Sequence, residues 1–197
     1  MKSIITMLSI LAIVFLLSYC TGNKEKMEQT TLQTAELSQE ELIAKGEYLV
    51  TIGGCNDCHS PKQMTERGPE IIKELMLSGY PADRPLLVAD KNAITKGWAL
   101  MNYDLTQAAG PWGVSFAANL TPDPTGIGNW TEEQFKKALT QGKFKGMDGE
   151  RMLLPPMPWF NFTNMKDEDI SAIYAYLKSI KPVNNLVPAP ISPEEFK

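Results

Sequence analysis

Apolar residues recur at helical spacing in three places along this chain. Behind Ser38, the residues Leu42, Ile43, Gly46, Leu49 and Val50 fall on one side of a helix. Ser38 and Glu41 form a capping box at its start, and Gly53-Gly54 stops it after Ile52. Behind Thr131, whose capping-box partner is Gln134, Phe135, Ala138 and Leu139 make a second apolar face, which Gly142 ends. The third segment runs from Asp167 to Ile180, with Ile170, Ile173, Tyr174, Leu177 and Ile180 as its buried stripe. Asp167, Glu168 and Asp169 suit the positive end of its dipole, Lys178 and Lys181 the negative end, and Pro182 terminates it.

From Ser60 to Asn129 the pattern changes. Pro, Gly and Asn signals crowd it, alternation strong enough for a sheet is absent, and one short helix is predicted over 70–77. The chain therefore reads as all-α, with a long loop-rich insertion before the helix at Thr131. A loop of that length in a compact domain needs something to organise it, and a large prosthetic group would do so.

The N-terminus has a different character. Lys2 is followed by an almost unbroken apolar run from Ile4 to Leu17, short for a bilayer span and suited to a signal peptide at 1–19. Leu17-Ser18-Tyr19-Cys20 resembles a bacterial lipoprotein processing site, with Cys20 as the lipidated residue. Tyr19 departs from the small residue that such sites carry before the cysteine, and an uncleaved anchor is the alternative. Residues 20–37 lack an apolar period and read as the anchor and a flexible tether, leaving 38–190 as the folded domain. Hydrophobic residues make up 43% of the 197 and charged residues 21%, a globular balance. A net charge of −4 argues against nucleic acid as a partner.

The candidate chemistry is concentrated in Cys55-Asn56-Asp57-Cys58-His59, which holds two of the three cysteines and the only histidine. C-x-x-C-H is the attachment signature for c-type haem. Two thiols one helical turn apart can each add across one porphyrin vinyl group, and the following imidazole turns onto the iron. Cys55 and Cys58 are thus the covalent haem sites and His59 the proximal ligand, for one haem c. A thiol redox pair would accompany a βαβ pattern, and a structural zinc would need four ligands; neither is present in the sequence.

With one histidine, the second axial ligand is a methionine, or the site is open. Among ten methionines, Met157 stands in Leu153-Leu154-Pro155-Pro156-Met157-Pro158-Trp159, where flanking prolines reduce the entropy of ordering a ligand loop. Met157 is read as the ligand, with Met152 as the alternative and a buried gap-filling methionine as the non-ligand reading.

The ordered set C-N-D-C-H, then GPWGVSFAANLTPDPTGIGNWTEEQFKKAL, LLPPMPW and DEDISAIYAYLKSIKPVNN resembles the class I c-type cytochromes. It is similar to the haem domains of membrane-bound alcohol dehydrogenase cytochrome subunits, over residues 40 to 186. The resemblance implies a mono-haem cytochrome c fold whose first and last helices cross, with Gly46 and Tyr48 meeting Tyr174 and Leu177. It also implies a proline carbonyl, at Pro69 or Pro61, accepting from the axial histidine. Asn119, Trp112 and Trp159 are read as packing residues, with haem contact the alternative.

The function expected is electron transfer, without turnover chemistry, on the periplasmic side of a bacterial membrane. Partners would be redox proteins of the envelope, and the lipid anchor would be at Cys20. A haem-based small-ligand sensor and a cytochrome subunit of a dehydrogenase complex are the alternatives. Lys136, Lys137, Lys143, Lys145 and Arg151 form a basic stretch that would steer an acidic partner or simply be a solvated face.

Overall fold

The computed structural model describes residues 37–196, so the predicted signal peptide, Cys20 and nearly all of the tether lie outside the described residues. Among the described residues no helix is long and apolar enough to cross a membrane.

Three helices form the frame: α1 (Gln39–Ile52), α4 (Glu132–Gln141) and α5 (Asp167–Ser179). Between them come α2 (Cys55–His59), strands β1 (Lys62–Thr65) and β2 (Gly68–Ile71), α3 (Lys91–Thr95), and strands β3 (Leu100–Met101), β4 (Gln107–Gly110) and β5 (Gly113–Phe116). Both predicted capping boxes are present. The Ser38 hydroxyl accepts from Glu41 N–H while the Glu41 carboxylate accepts from Ser38 N–H at 2.9 Å, and Thr131 and Gln134 repeat the arrangement.

Helices α1 and α5 make the largest contact in the frame. Their crossing needs Gly46, because a β-carbon there would fall on the Ala172 carbonyl and within 2.7 Å of Tyr176 Cβ. The aromatic that meets the glycine is thus Tyr176, two residues along from the expected Tyr174, and Tyr48 is 62% exposed. Tyr174 instead donates to the Trp130 carbonyl at 2.7 Å and packs on the Phe135 ring, joining α5 to α4. Val50, Leu77, Ile127, Phe135, Ile170, Ile173, Tyr176 and Leu177 form one buried core. Burying each large aliphatic side chain contributes about 1.5–3 kcal/mol. An ion pair from Lys45 to Asp169 at 2.6 Å lies along the α1–α5 seam.

The all-α expectation is corrected by the insertion, which holds two small antiparallel sheets. β1 pairs with β2 around a two-residue loop, and β3-β4-β5 forms a three-stranded meander. The predicted helix over 70–77 is the end of β2 followed by a single 3-10 turn, Lys73–Leu75. The strands are two to four residues long, too short to show a period. β4, Gln-Ala-Ala-Gly, is buried along its whole length, so no polar face alternates with an apolar one. The chain also returns after α5: Ile191 pairs with Val114 of β5, and Asn185 accepts from Ala82 N–H while donating to the Ser78 and Tyr80 carbonyls.

Candidate functional site

The site begins where α1 ends. Gly54, at φ 68, makes a left-handed turn that starts α2, and Cys55 and Cys58 sit one turn apart on that short helix, followed by His59. Both thiols are free. Burial pushes the Cys55 thiol up to about 11 and raises Cys58 as well, with Asp57 adding to both. Burial thus favours the protonated thiol at both positions.

His59 is half-buried, and burial lowers its pKa against a partly offsetting hydrogen bond to the Ala118 carbonyl. That bond runs from Nδ1 at 2.7 Å. With Nδ1 carrying the proton and donating, Nε2 keeps its lone pair, as a metal-ligating imidazole requires. The acceptor is therefore Ala118, and the prolines are used differently: the Pro61 carbonyl accepts from Ile72 N–H, and Pro69 lies in β2.

Two further segments hold this arrangement. Gly79 N–H donates to the His59 carbonyl at 2.8 Å, while Tyr80 N–H bonds to the Ala117 carbonyl and Leu120 N–H to the Leu77 carbonyl. Residues 77–80 are thus laced between α2 and residues 117–120. Lys62 closes the other side of α2. Its ammonium donates to the Asp57, Ser60 and Asp104 carbonyls at 2.6, 3.1 and 2.9 Å.

Met157 is half-buried in the segment from Leu153 to Trp159. Leu153 N–H donates to the Gly142 carbonyl at 2.7 Å, Met157 N–H to the Leu154 carbonyl at 3.3 Å, and the Trp159 ring packs on Gly142 at the end of α4. The loop is joined to the insertion by Ser115, whose hydroxyl donates to the Pro155 carbonyl at 2.6 Å. The other methionines have different surroundings. Met76 and Met165 pack against the frame core, whereas Met64, Met101, Met147 and Met152 are at least 40% exposed. Of the expected basic stretch, Lys136 is paired with Asp167 and Lys137 with Asp148, and Lys145 and Arg151 lie over the Phe144 ring. Asn119 faces inward, with its amide bonded to the Val183 carbonyl and its oxygen accepting from Thr121.

Comparison with known proteins matches residues 43–181 to the cytochrome c family model. The chain belongs to the cytochrome c family. It is 32% identical over 151 residues to the alcohol dehydrogenase (quinone) cytochrome c subunit of Gluconobacter oxydans, covering 76% of this chain and 24% of that protein. It is 30% identical over 159 residues to the gluconate 2-dehydrogenase cytochrome c subunit of Pantoea cypripedii, covering 78% and 27%. It is also 29% identical over 158 residues to the fructose dehydrogenase cytochrome subunit of Gluconobacter japonicus, covering 79% and 25%. The chain thus spans about a quarter of the length of these curated relatives.

A cytochrome c domain carries covalently bound haem c, and the single C-x-x-C-H motif of this cytochrome provides for one. The residues present fit that group. Two free thiols stand one turn apart, and the next residue is an imidazole whose Nδ1 is engaged and whose Nε2 is left for iron. Among the described residues no cluster of three or more His, Cys, Asp or Glu could hold another metal ion.

The sequence did not point to Ala118, the 77–80 segment, Lys62 or Ser115. The first acts through its backbone carbonyl, which no side-chain pattern reports. A lysine four residues beyond Cys58 is the one of these that a closer look at helix C-terminal capping could have raised.

Proposed function

We propose that this cytochrome is an exported one-electron carrier whose single haem c is attached through Cys55 and Cys58 and ligated by His59 and Met157. The observation that carries the reading is the 2.7 Å bond from His59 Nδ1 to Ala118, which fixes the ring's tautomer with Nε2 left for the metal. When bound, the haem cycles between ferrous and ferric iron, and thioether ligation in an apolar surround raises its potential.

The chain's own residues do the rest. Cys55 and Cys58 hold the haem edge, the prolines around Met157 stiffen the ligand loop, and residues 77–80 and 117–120 keep the imidazole from turning. His59 and Met157 would together hold the iron and leave no place for a substrate, so the chain passes electrons and performs no turnover chemistry itself. Envelope redox proteins are the partners, reached from the periplasmic side of the membrane by a lipid anchor at Cys20 and the tether to residue 37. Lys143, Lys145 and Arg151, which have no carboxylate partner within ion-pair distance among the described residues, are the basic groups left to steer an acidic partner.

The test is the visible spectrum of mature protein and of Met157→Ala. The unaltered protein is expected to keep its colour through acidified-acetone extraction and to show the far-red ferric methionine–iron band. The variant is expected to lose that band and to bind carbon monoxide in the ferrous form. A colourless or extractable product would overturn the haem assignment, and a band surviving in the variant would overturn Met157. The names of the relatives favour one further reading, that the carrier is a subunit of a membrane dehydrogenase complex. Co-purification of a second polypeptide from detergent extracts tests it.

A further inference from the structure

The loop that carries Met157 is poor in hydrogen-bond donors. Of Pro155, Pro156, Met157 and Pro158 only the methionine has an N–H, and that one is used locally on Leu154. Such a loop can be held from outside through its carbonyls or through packing alone. Pro158 O accepts locally from Asn161 N–H at 2.9 Å, whereas Pro155 O is held from the insertion, by the Ser115 hydroxyl at 2.6 Å.

Ser115 is 8% exposed and its orientation is set by a neighbour. Trp112 Nε1 donates to Ser115 Oγ at 3.2 Å. An indole N–H can only donate and a carbonyl can only accept, so the relay has one polarity: Trp112 to Ser115 to Pro155. The indole reaches Ser115 because Pro111-Trp112 is the two-residue loop of the β4–β5 hairpin and the ring folds back over Gly110. A β-carbon at Gly110 would fall inside van der Waals contact of that ring.

The same stretch of chain continues to Ala118, whose carbonyl accepts from His59. Ala118 lies three residues beyond Ser115, at most about 10 Å of backbone. One short segment therefore touches the Met157 loop at its start and the His59 ring at its end.

We propose that Ser115, aimed by Trp112, is a positioning residue that latches the Met157 loop, so that residues 112–118 brace that loop and the His59 ring as one unit. The proposal rests on the reading of His59 and Met157 as axial ligands. Ser115 touches neither iron nor haem in this scheme. It acts by limiting how far Met157 can withdraw, and hence how often the sixth position opens.

The experiment measures equilibrium binding of imidazole to the ferric holoprotein, with the far-red methionine–iron band as a second readout. It compares the full chain with Ser115→Ala, Ser115→Thr, Trp112→Phe, Met157→Ala and Ser38→Ala. Losing one buried hydrogen bond on the loop corresponds to about a ten-fold rise in imidazole affinity for Ser115→Ala. A weaker band is expected alongside, with Ser115→Thr restoring both. Trp112→Phe, which keeps the ring and removes the donor, is expected to give about a three-fold rise. Ser38→Ala destabilises the fold far from the haem and is expected to leave imidazole affinity unchanged.

Wild-type affinity in Ser115→Ala, together with a lost band in Met157→Ala, would overturn the latch and leave the ligand assignment standing. A retained band in Met157→Ala would overturn the ligand assignment, and the latch with it. An equal rise in Ser38→Ala would show that affinity follows global stability and would also overturn the latch. Should Ser115→Ala fail to accumulate as holoprotein, Trp112→Phe carries the test, and wild-type affinity there overturns the relay.

Discussion

The helical frame and the insertion that begins at Ser60 are held by different forces. In the frame, α1, α4 and α5 meet through Val50, Phe135, Ile170, Ile173, Tyr176 and Leu177, an apolar core in which stabilisation follows the area removed from water. The insertion contributes Leu77 and Ile127 to that core, but alongside its apolar side chains it buries a set of polar ones that the three helices lack. Asp104 is fully buried and accepts from Arg84 at 2.7 Å, from the Thr106 hydroxyl at 2.7 Å and from Lys62 N–H at 3.3 Å. Asn119, Thr121 and Asn185 are buried in a second network that reaches the Val183 carbonyl. Every buried side-chain polar atom among the described residues has a partner. Stability in the frame is spread over many weak contacts, whereas in the insertion it sits in a few directional bonds whose partners are left stranded when one is removed.

The largest expected effect breaks the frame at its one point without slack. Gly46→Val pushes a branched side chain into the Ala172 carbonyl and the Tyr176 stem, neither of which can move without separating α1 from α5. A loss of about 4 kcal/mol or more is expected, seen as collapse of helical circular dichroism and of holoprotein yield. A Gly46→Val protein of near-normal stability would refute the close crossing.

Next in size is Asp104→Ala, which leaves Arg84 and the Lys62 N–H without their buried acceptor. The expected cost is about 3 kcal/mol, confined to the insertion. Hydrogen exchange should quicken in β1–β2 and β3–β5 while α1 and α5 stay protected; uniform quickening would erase the distinction between the two regions.

The same carboxylate sets a pH dependence. Burial pushes Asp104 up, but hydrogen bonds from Thr106 and Arg84, the Arg84 charge and the Lys62 N–H together leave it below the usual carboxylate range. Its stabilising contribution is therefore complete above the ordinary carboxylate pKa and is lost as pH falls through the lowered value. Acid titration should loosen the insertion in the parent protein, and that step should be absent from Asp104→Ala.

The smallest effect sharpens the contrast from the frame side. Ser38→Ala removes one capping hydroxyl from α1 and is expected to cost about 1 kcal/mol by thermal denaturation, with exchange in the insertion unchanged.

This difference in forces also explains what the sequence disclosed. The helices were legible because apolar burial repeats with the helical period, and because Ser38–Glu41 and Thr131–Gln134 mark their starts within four residues. The haem motif was legible because its chemistry is written in contiguous side chains. The insertion was opaque because its organising contacts are long-range and polar. Asp104 and Lys62, Asn185 and Ser78, and Ala118 and His59 are each joined by a hydrogen bond, and their spacing leaves no periodic trace. The offset from Tyr174 to Tyr176 at the helix crossing is a matter of which face each aromatic takes. Residues two apart lie about 200° apart around a helix, so the two tyrosines take different faces: Tyr174 reaches the Trp130 carbonyl and Tyr176 meets Gly46.

The return of the chain after α5 bears on the order in which the protein can be completed. Asn185 and Ile191 fasten residues 78–82 and β5 only once they have been made, whereas Cys55 to His59 leave the site of synthesis far ahead of them. A chain whose last stretch has not yet docked therefore lacks the bonds that button residues 78–82 and the β4–β5 hairpin down. Ending the chain at Pro182 should yield a product that still acquires pigment but is cut readily by protease between Ser60 and Leu120.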